Sequence, residues 1–163
     1  MTTQKLLRTC TVEEMLNHVV ELARAFDVVL LEAPGMKTEH GASLTVEYKD
    51  HSVARSIIAK PVHDETSYAV ALHEVGHCLH PTGALLREDN DKFSIKLLQE
   101  ESAWEWAEYY ALCWTLAMEA VKQQGLESYH RTERARRADA LREEQATKRV
   151  QQDLKRFLGR IRL

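Results

Sequence analysis

The segment VALHEVGHCL, residues 70–79, carries the strongest signal in this chain. It contains the pattern HExxH, with His73, Glu74 and His77, inside a stretch whose apolar residues predict a helix over residues 64–79. Because residues four apart project from the same helix face, both imidazoles can reach one metal ion. Glu74 follows the first histidine and can take a proton from a water on that ion. The segment therefore predicts a catalytic zinc site with His73 and His77 as ligands and Glu74 as general base.

A catalytic zinc needs a third protein ligand and one position open for water. Six residues after His77, where a third histidine would extend the motif, the chain has Gly83. The segment LQEESAWEWA, residues 98–107, offers carboxylates instead. Glu100 is the preferred third ligand, because Ala103 gives it the ExxA spacing of a helix that passes close to a metal. Glu101 is the alternative, and a solvated acidic helix start is the reading without a metal.

A group that stabilises the developing oxyanion is also needed in such a site. His80, Tyr109 and Tyr110 are the candidates that the sequence offers, and the choice among them stays open.

Outward from the motif, the periodicities predict an α+β fold. A capping box at Thr11 and Glu14 opens a first helix. Three short strands follow, at residues 28–31, 44–48 and 53–59.

The remainder of the chain is predicted to be helical. Asp64 is the predicted N-cap of the motif helix. Ser94 is the predicted N-cap of a second helix, which runs to about residue 122 and is ended by Gly125. A last helix is predicted over residues 128–158. We expect a small three-stranded, mostly antiparallel sheet packed on the motif helix and on the second, ligand-bearing helix, with a long C-terminal helix.

These residues resemble the ImmA/IrrE family of small zinc metallopeptidases, within the gluzincin group. The resemblance runs from about Val53 to Leu112, through IIAKP (57–61), Asp64-Glu65 and ALHEVGHCLH (71–80). The stretch from Glu100 to Ala107 resembles the family's second helix, in which a glutamate is the third ligand and an alanine follows three residues later. This chain has Trp104 where the family often has Asn or Asp.

Family members commonly occur in phages and mobile elements, and cleave a partner regulator or relieve its repression. The resemblance implies a small intracellular metallopeptidase that acts on a particular protein. The helix-turn-helix domain that typically accompanies the family is not evident in this sequence, so DNA binding within this chain is not expected. The strand before the motif helix is expected to form the edge of the cleft, where an extended peptide binds by strand addition.

The charge distribution divides the chain into two parts. From Ser128 onward it carries 11 basic and 5 acidic side chains, against 11 and 20 in the preceding 127 residues. We therefore expect a zincin-like metallopeptidase domain over residues 1–125 and a basic helical extension over residues 126–163. The extension is expected either to pack on the body as an amphipathic helix, through Leu141, Val150, Leu154 and Leu158, or to dock electrostatically on the acidic body or an acidic partner. Nucleic acid is the less favoured partner, because Tyr129 is the one stacking aromatic beside the arginine cluster at residues 131–142.

The remaining composition predicts a cytoplasmic protein. The N-terminus lacks the apolar core of a secretory signal, no stretch is apolar enough to span a bilayer, and three cysteines without a CxxC pair are typical of reduced thiols. No membrane partner is expected.

Two functions follow from the sequence. The first is a zinc metallopeptidase that hydrolyses peptide bonds of a specific intracellular protein, such as a regulator, with Glu74 as base. The second is a metal-binding phage or mobile-element regulator that acts by protein–protein binding without proteolysis. A purely structural zinc is disfavoured, because such sites prefer closed, cysteine-rich shells.

Overall fold

The computed structural model describes residues 9–37, 41–79 and 92–161. The elements are, in chain order, α1 (Val12–Ala25), β1 (Val28–Glu32), β2 (Gly41–Glu47), β3 (Val53–Ala59), α2 (Glu65–Leu79), α3 (Lys92–Tyr110) and α4 (Leu116–Ile161). The predicted α+β class is confirmed, as are the three strands and the helix that carries the HExxH motif. None of the described helices combines the length and the apolar composition needed to cross a bilayer.

The sheet is mixed, with strand order β1-β3-β2. β2 pairs antiparallel with β3, whereas β1 pairs parallel with it, so the expected mostly antiparallel sheet has one pair of each kind. β3, the strand before α2, lies in the middle and is hydrogen-bonded on both sides. The expectation that this strand forms the edge of a cleft is therefore wrong, and the sheet edges belong to β1 and β2.

Helix α2 lies at the centre of the unit Met1–Glu127. It contacts β2 and β3 on one side and α1 and α3 on the other, and 11 of its residues are buried. Tyr68, Leu72 and Val75 have no exposed surface. Burial of most of this helix agrees with the sequence of residues 67–78, in which apolar residues lie on every face.

Helix α1 begins as its sequence predicts. The Glu14 amide donates to Thr11 Oγ1 over 3.2 Å, and Glu14 Oε2 accepts from the Thr11 amide at 2.8 Å. Met15, Val19 and Ala23 form its buried face against α2 and the sheet.

The prediction of one helix from Ser94 to residue 122 is wrong. Helix α3 already begins at Lys92 and ends at Tyr110, and α4 begins at Leu116. The chain turns between them because the Leu112 amide donates to Tyr68 Oη over 3.0 Å, while Thr115 Oγ1 accepts from the Met118 amide as an N-cap does. Tyr68 lies 44 residues earlier in the chain. The break therefore depends on a tertiary contact that local periodicity does not reveal.

Gly125 does not end a helix, since α4 continues through it to Ile161. A Cβ added at Gly125 would lie 3.3 Å from Trp104 Nε1. The glycine is thus explained by close packing of α4 on the indole. The second compact unit is Ser128–Leu163, a helical segment in which Leu141 is 57% exposed rather than packed. The domain boundary at residues 125/126 stays a prediction.

Candidate metal centre

The two ends of α2 hold the motif in place. At the N-terminus, the Ser67 amide donates to Asp64 Oδ1 over 2.7 Å, which makes Asp64 the cap that the sequence predicts. At the C-terminus, Arg55 Nε on β3 donates to the Cys78 carbonyl oxygen over 3.1 Å. A cation at the last turn also complements the helix dipole. The hydrogen bond from Arg55 thereby fixes the end of α2 that follows His77 to strand β3.

Helix α3 approaches α2 through two small residues. A Cβ added at Gly76 would lie 2.8 Å from the Ala103 carbonyl oxygen and 3.1 Å from its Cα. Ala103 itself is fully buried. The helices can come this close because neither residue places a large side chain between them. The approach brings Glu100, one turn before Ala103, within reach of the histidines on α2.

Three side chains converge at this crossing. Glu100 Oε2 lies 3.3 Å from His73 Nε2 and 3.3 Å from His77 Nε2, and the two Nε2 atoms are 3.1 Å apart. Within the part of the chain that the structure describes, His73, His77 and Glu100 are the group able to hold a metal ion. His73 and Glu100 are buried, and His77 is partly exposed, so one side of the group is accessible.

The separations of the three atoms fit a zinc ion. Zinc binds imidazole nitrogen and carboxylate oxygen at about 2.0–2.2 Å, which for tetrahedral angles places neighbouring ligand atoms about 3.3–3.5 Å apart. The observed 3.1–3.3 Å is close to this value. Two histidines and one glutamate form a ligand set known from catalytic zinc sites, which keep a fourth position for water. The three residues therefore fit a metal ion of this size.

Burial and charge prepare the ligands for a cation. Burial lowers the pKa of His73, which favours the neutral imidazole that a metal needs. Burial by itself also lowers the pKa of His77, but the Glu100 carboxylate outweighs it and holds this pKa above its ordinary value. Burial by itself raises the pKa of Glu100, and its hydrogen bonds with His73 and His77 reverse the shift, so that Glu100 is ionised. The group thus presents one carboxylate and two nitrogens at one point.

Glu74 lies beside this group and has a different environment. Its side chain is buried, and burial raises the pKa of the carboxyl to about 7. Glu74 is covered by the first residue of β2, since a Cβ added at Gly41 would lie 2.5 Å from Glu74 Cγ and 2.6 Å from Oε1. Only a glycine leaves room for the carboxylate at this place. A carboxyl that titrates near neutral pH can both accept and return a proton.

The structure brings together His73, His77 and Glu100, and it places Glu74 next to them in α2. Glu101, the alternative ligand, is not a member of the group. Tyr109 and Tyr110 lie at the far end of α3, about 15 Å along the helix from Glu100. They pack with Phe26 and Trp106 in an aromatic cluster. His80 lies outside the described residues.

Sequence reasoning missed three residues at this site. Gly41 and Gly76 give no signal in one sequence, because each is explained by a neighbour that is distant along the chain. Trp104 departs from the pattern of the family that the chain resembles, yet its indole stacks on the His73 ring with centroids 4.1 Å apart. Its place in the ExxAW segment, one turn after Glu100, is the signal that identifies it as a residue near the ligands.

Comparison of the chain with protein-family models, with curated proteins and with solved structures found no match. The site is therefore interpreted from its own geometry.

Proposed function

We propose that this protein is a zinc-dependent peptidase of the ImmA/IrrE type that hydrolyses peptide bonds of a specific protein. The observation that supports this most is the position of Glu100, whose carboxylate lies 3.3 Å from both motif histidines. If the HExxH pattern had arisen by chance, nothing would place a carboxylate from another helix at this distance from both histidines. The buried Glu74 carboxyl beside the group supplies the base that the reaction needs.

Each residue has one task in the proposed reaction. His73, His77 and Glu100 hold the ion, which when bound supplies Lewis-acid chemistry by polarising the scissile carbonyl and acidifying a water. Glu74 takes the proton of the attacking water and delivers it to the nitrogen of the leaving amine. In the metal-free protein burial raises the pKa of Glu74 to about 7, and a cation bound beside the carboxyl would lower this pKa, so that Glu74 is the carboxylate that accepts the proton at neutral pH.

A protein substrate can reach this site along strand β2. β2 lies at one edge of the sheet, and only β3 pairs with it among the described strands. Its first residue, Gly41, covers Glu74. An extended peptide that adds to this edge would run past the base, so we expect backbone pairing to give affinity and side-chain contacts to give specificity.

The deciding experiment compares the full-length protein with its Glu74→Gln variant. Zinc content and the cleavage of a proteome-derived peptide library, read by mass spectrometry, are measured for both. We expect the variant to bind zinc like the original chain and to cleave nothing, because glutamine fits the same space and cannot accept the proton. Glu101→Gln is the matched control and should retain both properties. Cleavage that persists in Glu74→Gln would exclude the proposed mechanism.

A second function, regulation by binding without cleavage, is favoured by the outer face of the sheet. Eight positions share this face and none is charged: Val29, Leu31, Ala42, Leu44, Val46, Ala54, Ser56 and Ile58. Val29 and Leu44 are each 58% exposed. Uncharged, exposed faces of this kind are typical of protein-binding surfaces. If Glu74→Gln retains the full biological effect of the protein, this second function is correct and the peptidase proposal is wrong.

A further inference from the structure

The ring of His73 lacks the restraint that ligating histidines normally have. Its Nδ1 atom is buried and has no hydrogen-bond partner among the residues that the structure describes. In protein metal sites, the second nitrogen of a ligating imidazole usually donates to a carboxylate or a carbonyl, and this bond fixes the ring orientation. Binding of a metal at Nε2 leaves the proton on Nδ1, for which residues 9–37, 41–79 and 92–161 provide no acceptor. The orientation of His73 must therefore be set by another contact.

That contact is the indole of Trp104. The two rings are nearly parallel, with 21° between their planes and 4.1 Å between their centroids. Trp104 is 4% exposed, so its own orientation is fixed by packing. It lies one turn after Glu100 on α3, and the same helix thus supplies both a ligand and the surface against which a second ligand rests.

Helix α4 contacts the indole of Trp104 at Gly125. A Cβ added at Gly125 would lie 3.3 Å from Trp104 Nε1, 3.5 Å from Cζ2 and 3.7 Å from Cε2. Glycine is unfavourable in the middle of a helix. Its occurrence at this contact is explained by the room that the indole needs. The indole thus contacts the His73 ring with its face and Gly125 with the Nε1 and Cζ2 edge.

We propose that Trp104, held in place by Gly125, is a positioning residue that orients His73 for metal binding by stacking, in place of a hydrogen bond to Nδ1. The proposal rests on the metal site of the proposed function, but not on peptidase activity. It predicts that zinc affinity depends on a flat aromatic ring at position 104 and on a small residue at position 125.

The test measures the zinc affinity of the full-length protein by competition with a chromophoric chelator, and the visible spectrum of its cobalt(II) form. Trp104→Phe should stay within about threefold of the original affinity, because a ring still stacks, whereas Trp104→Leu should bind zinc about 10–100-fold more weakly, with a changed cobalt spectrum. Gly125→Ala should weaken zinc binding although alanine favours the helix. In the Trp104→Phe background, Gly125→Ala should have little further effect, since the contacted edge of the indole is gone.

Two control variants separate orientation from general packing. Trp114 is as buried as Trp104 and belongs to the same core, and its indole donates to Glu119 Oε2 over 2.8 Å, so Trp114→Leu should lower the free energy of unfolding and leave zinc affinity unchanged. Gly35 has open space around it, so Gly35→Ala should change neither property. Equal zinc affinities and cobalt spectra for Trp104→Leu and the original chain would overturn the proposal. Absence of zinc binding by the original chain would overturn it together with the proposed function, whereas zinc binding without peptide cleavage would refute only the peptidase.

Discussion

Glu74 has opposite requirements in folding and in catalysis. The folded protein raises its pKa from 4.5 to about 7, because burial disfavours the charged carboxylate. A group whose pKa is raised on folding adds stability below its unfolded pKa, and this stability is lost as the pH rises through the folded value. In the metal-free protein, ionisation of Glu74 therefore opposes folding at neutral pH. A carboxyl that is costly to bury is common at catalytic positions.

The first prediction concerns this cost. Between about pH 4.5 and pH 7, ionisation of Glu74 should lower the unfolding free energy of the metal-free protein by up to about 3 kcal/mol. Glu74→Gln should lack this decrease, because glutamine does not titrate. Urea unfolding in a chelator at several pH values measures the difference between the two proteins. Parallel pH profiles for the original chain and the variant would show that Glu74 is not buried as described.

The second prediction separates Glu100 from its neighbour. At a zinc concentration of about 1,000 times Kd, binding stabilises a protein by about 4 kcal/mol, or about 10 °C in Tm for a chain of this length. Glu100→Gln should abolish most of this shift, because the carboxylate 3.3 Å from both histidines is lost. Glu101→Gln is the matched control and should keep it. Thermal unfolding with and without zinc measures the shift in Tm. If Glu101→Gln loses the shift and Glu100→Gln keeps it, the third ligand is Glu101 and the prediction is wrong.

At the scale of elements, the site depends on how closely α2 and α3 cross. The sequence predicts the helix that carries His73 and His77, because capping, periodicity and the motif agree there. It also indicates Glu100 as the third ligand, because Ala103 follows it by three residues in the sequence. It does not predict the distance between the helices, which Gly76 sets through backbone atoms of α3. The break at Leu112 and the place of β3 in the middle of the sheet likewise depend on partners far along the chain.

The third prediction tests the crossing. Gly76→Ala should destabilise the protein, because overpacking costs about 1–3 kcal/mol and exceeds the gain of about 1 kcal/mol in helix propensity. The new methyl group would meet the Ala103 carbonyl oxygen at 2.8 Å, and backbone atoms cannot turn away as a side chain can. Zinc affinity should fall as well, since α3 carries Glu100.

Denaturant unfolding and chelator competition measure these two effects of Gly76→Ala. Ala103→Gly should not rescue the variant, because the contact is with the backbone and not with the alanine methyl. A more stable Gly76→Ala variant with unchanged zinc affinity would show that the helices are farther apart than the structure has them.

At the scale of the whole molecule, charge and site fall into different units. Residues 1–127 carry a net charge of -9 and residues 128–163 one of +6. Every residue of the candidate metal centre, together with Gly125, belongs to the unit Met1–Glu127. The start of α4 contributes Met118, which is fully buried, to the same core. The candidate metal centre thus draws all of its residues from the unit Met1–Glu127, and none of them from the basic segment.

The fourth prediction follows from this separation. A chain ending at Glu127 should fold and bind zinc within about twofold of the full-length affinity, because the three proposed ligands and the buried Met118 all belong to the unit Met1–Glu127. Its net charge changes from -3 to -9, so any electrostatic contact with a partner should change in strength and in salt dependence. We expect the full-length protein to show no appreciable salt-sensitive binding to single-stranded DNA, since the arginines of the segment have few aromatic neighbours for stacking. Fluorescence anisotropy with labelled DNA at several salt concentrations tests this, and salt-sensitive binding that the deletion abolishes would assign the segment to nucleic acid instead.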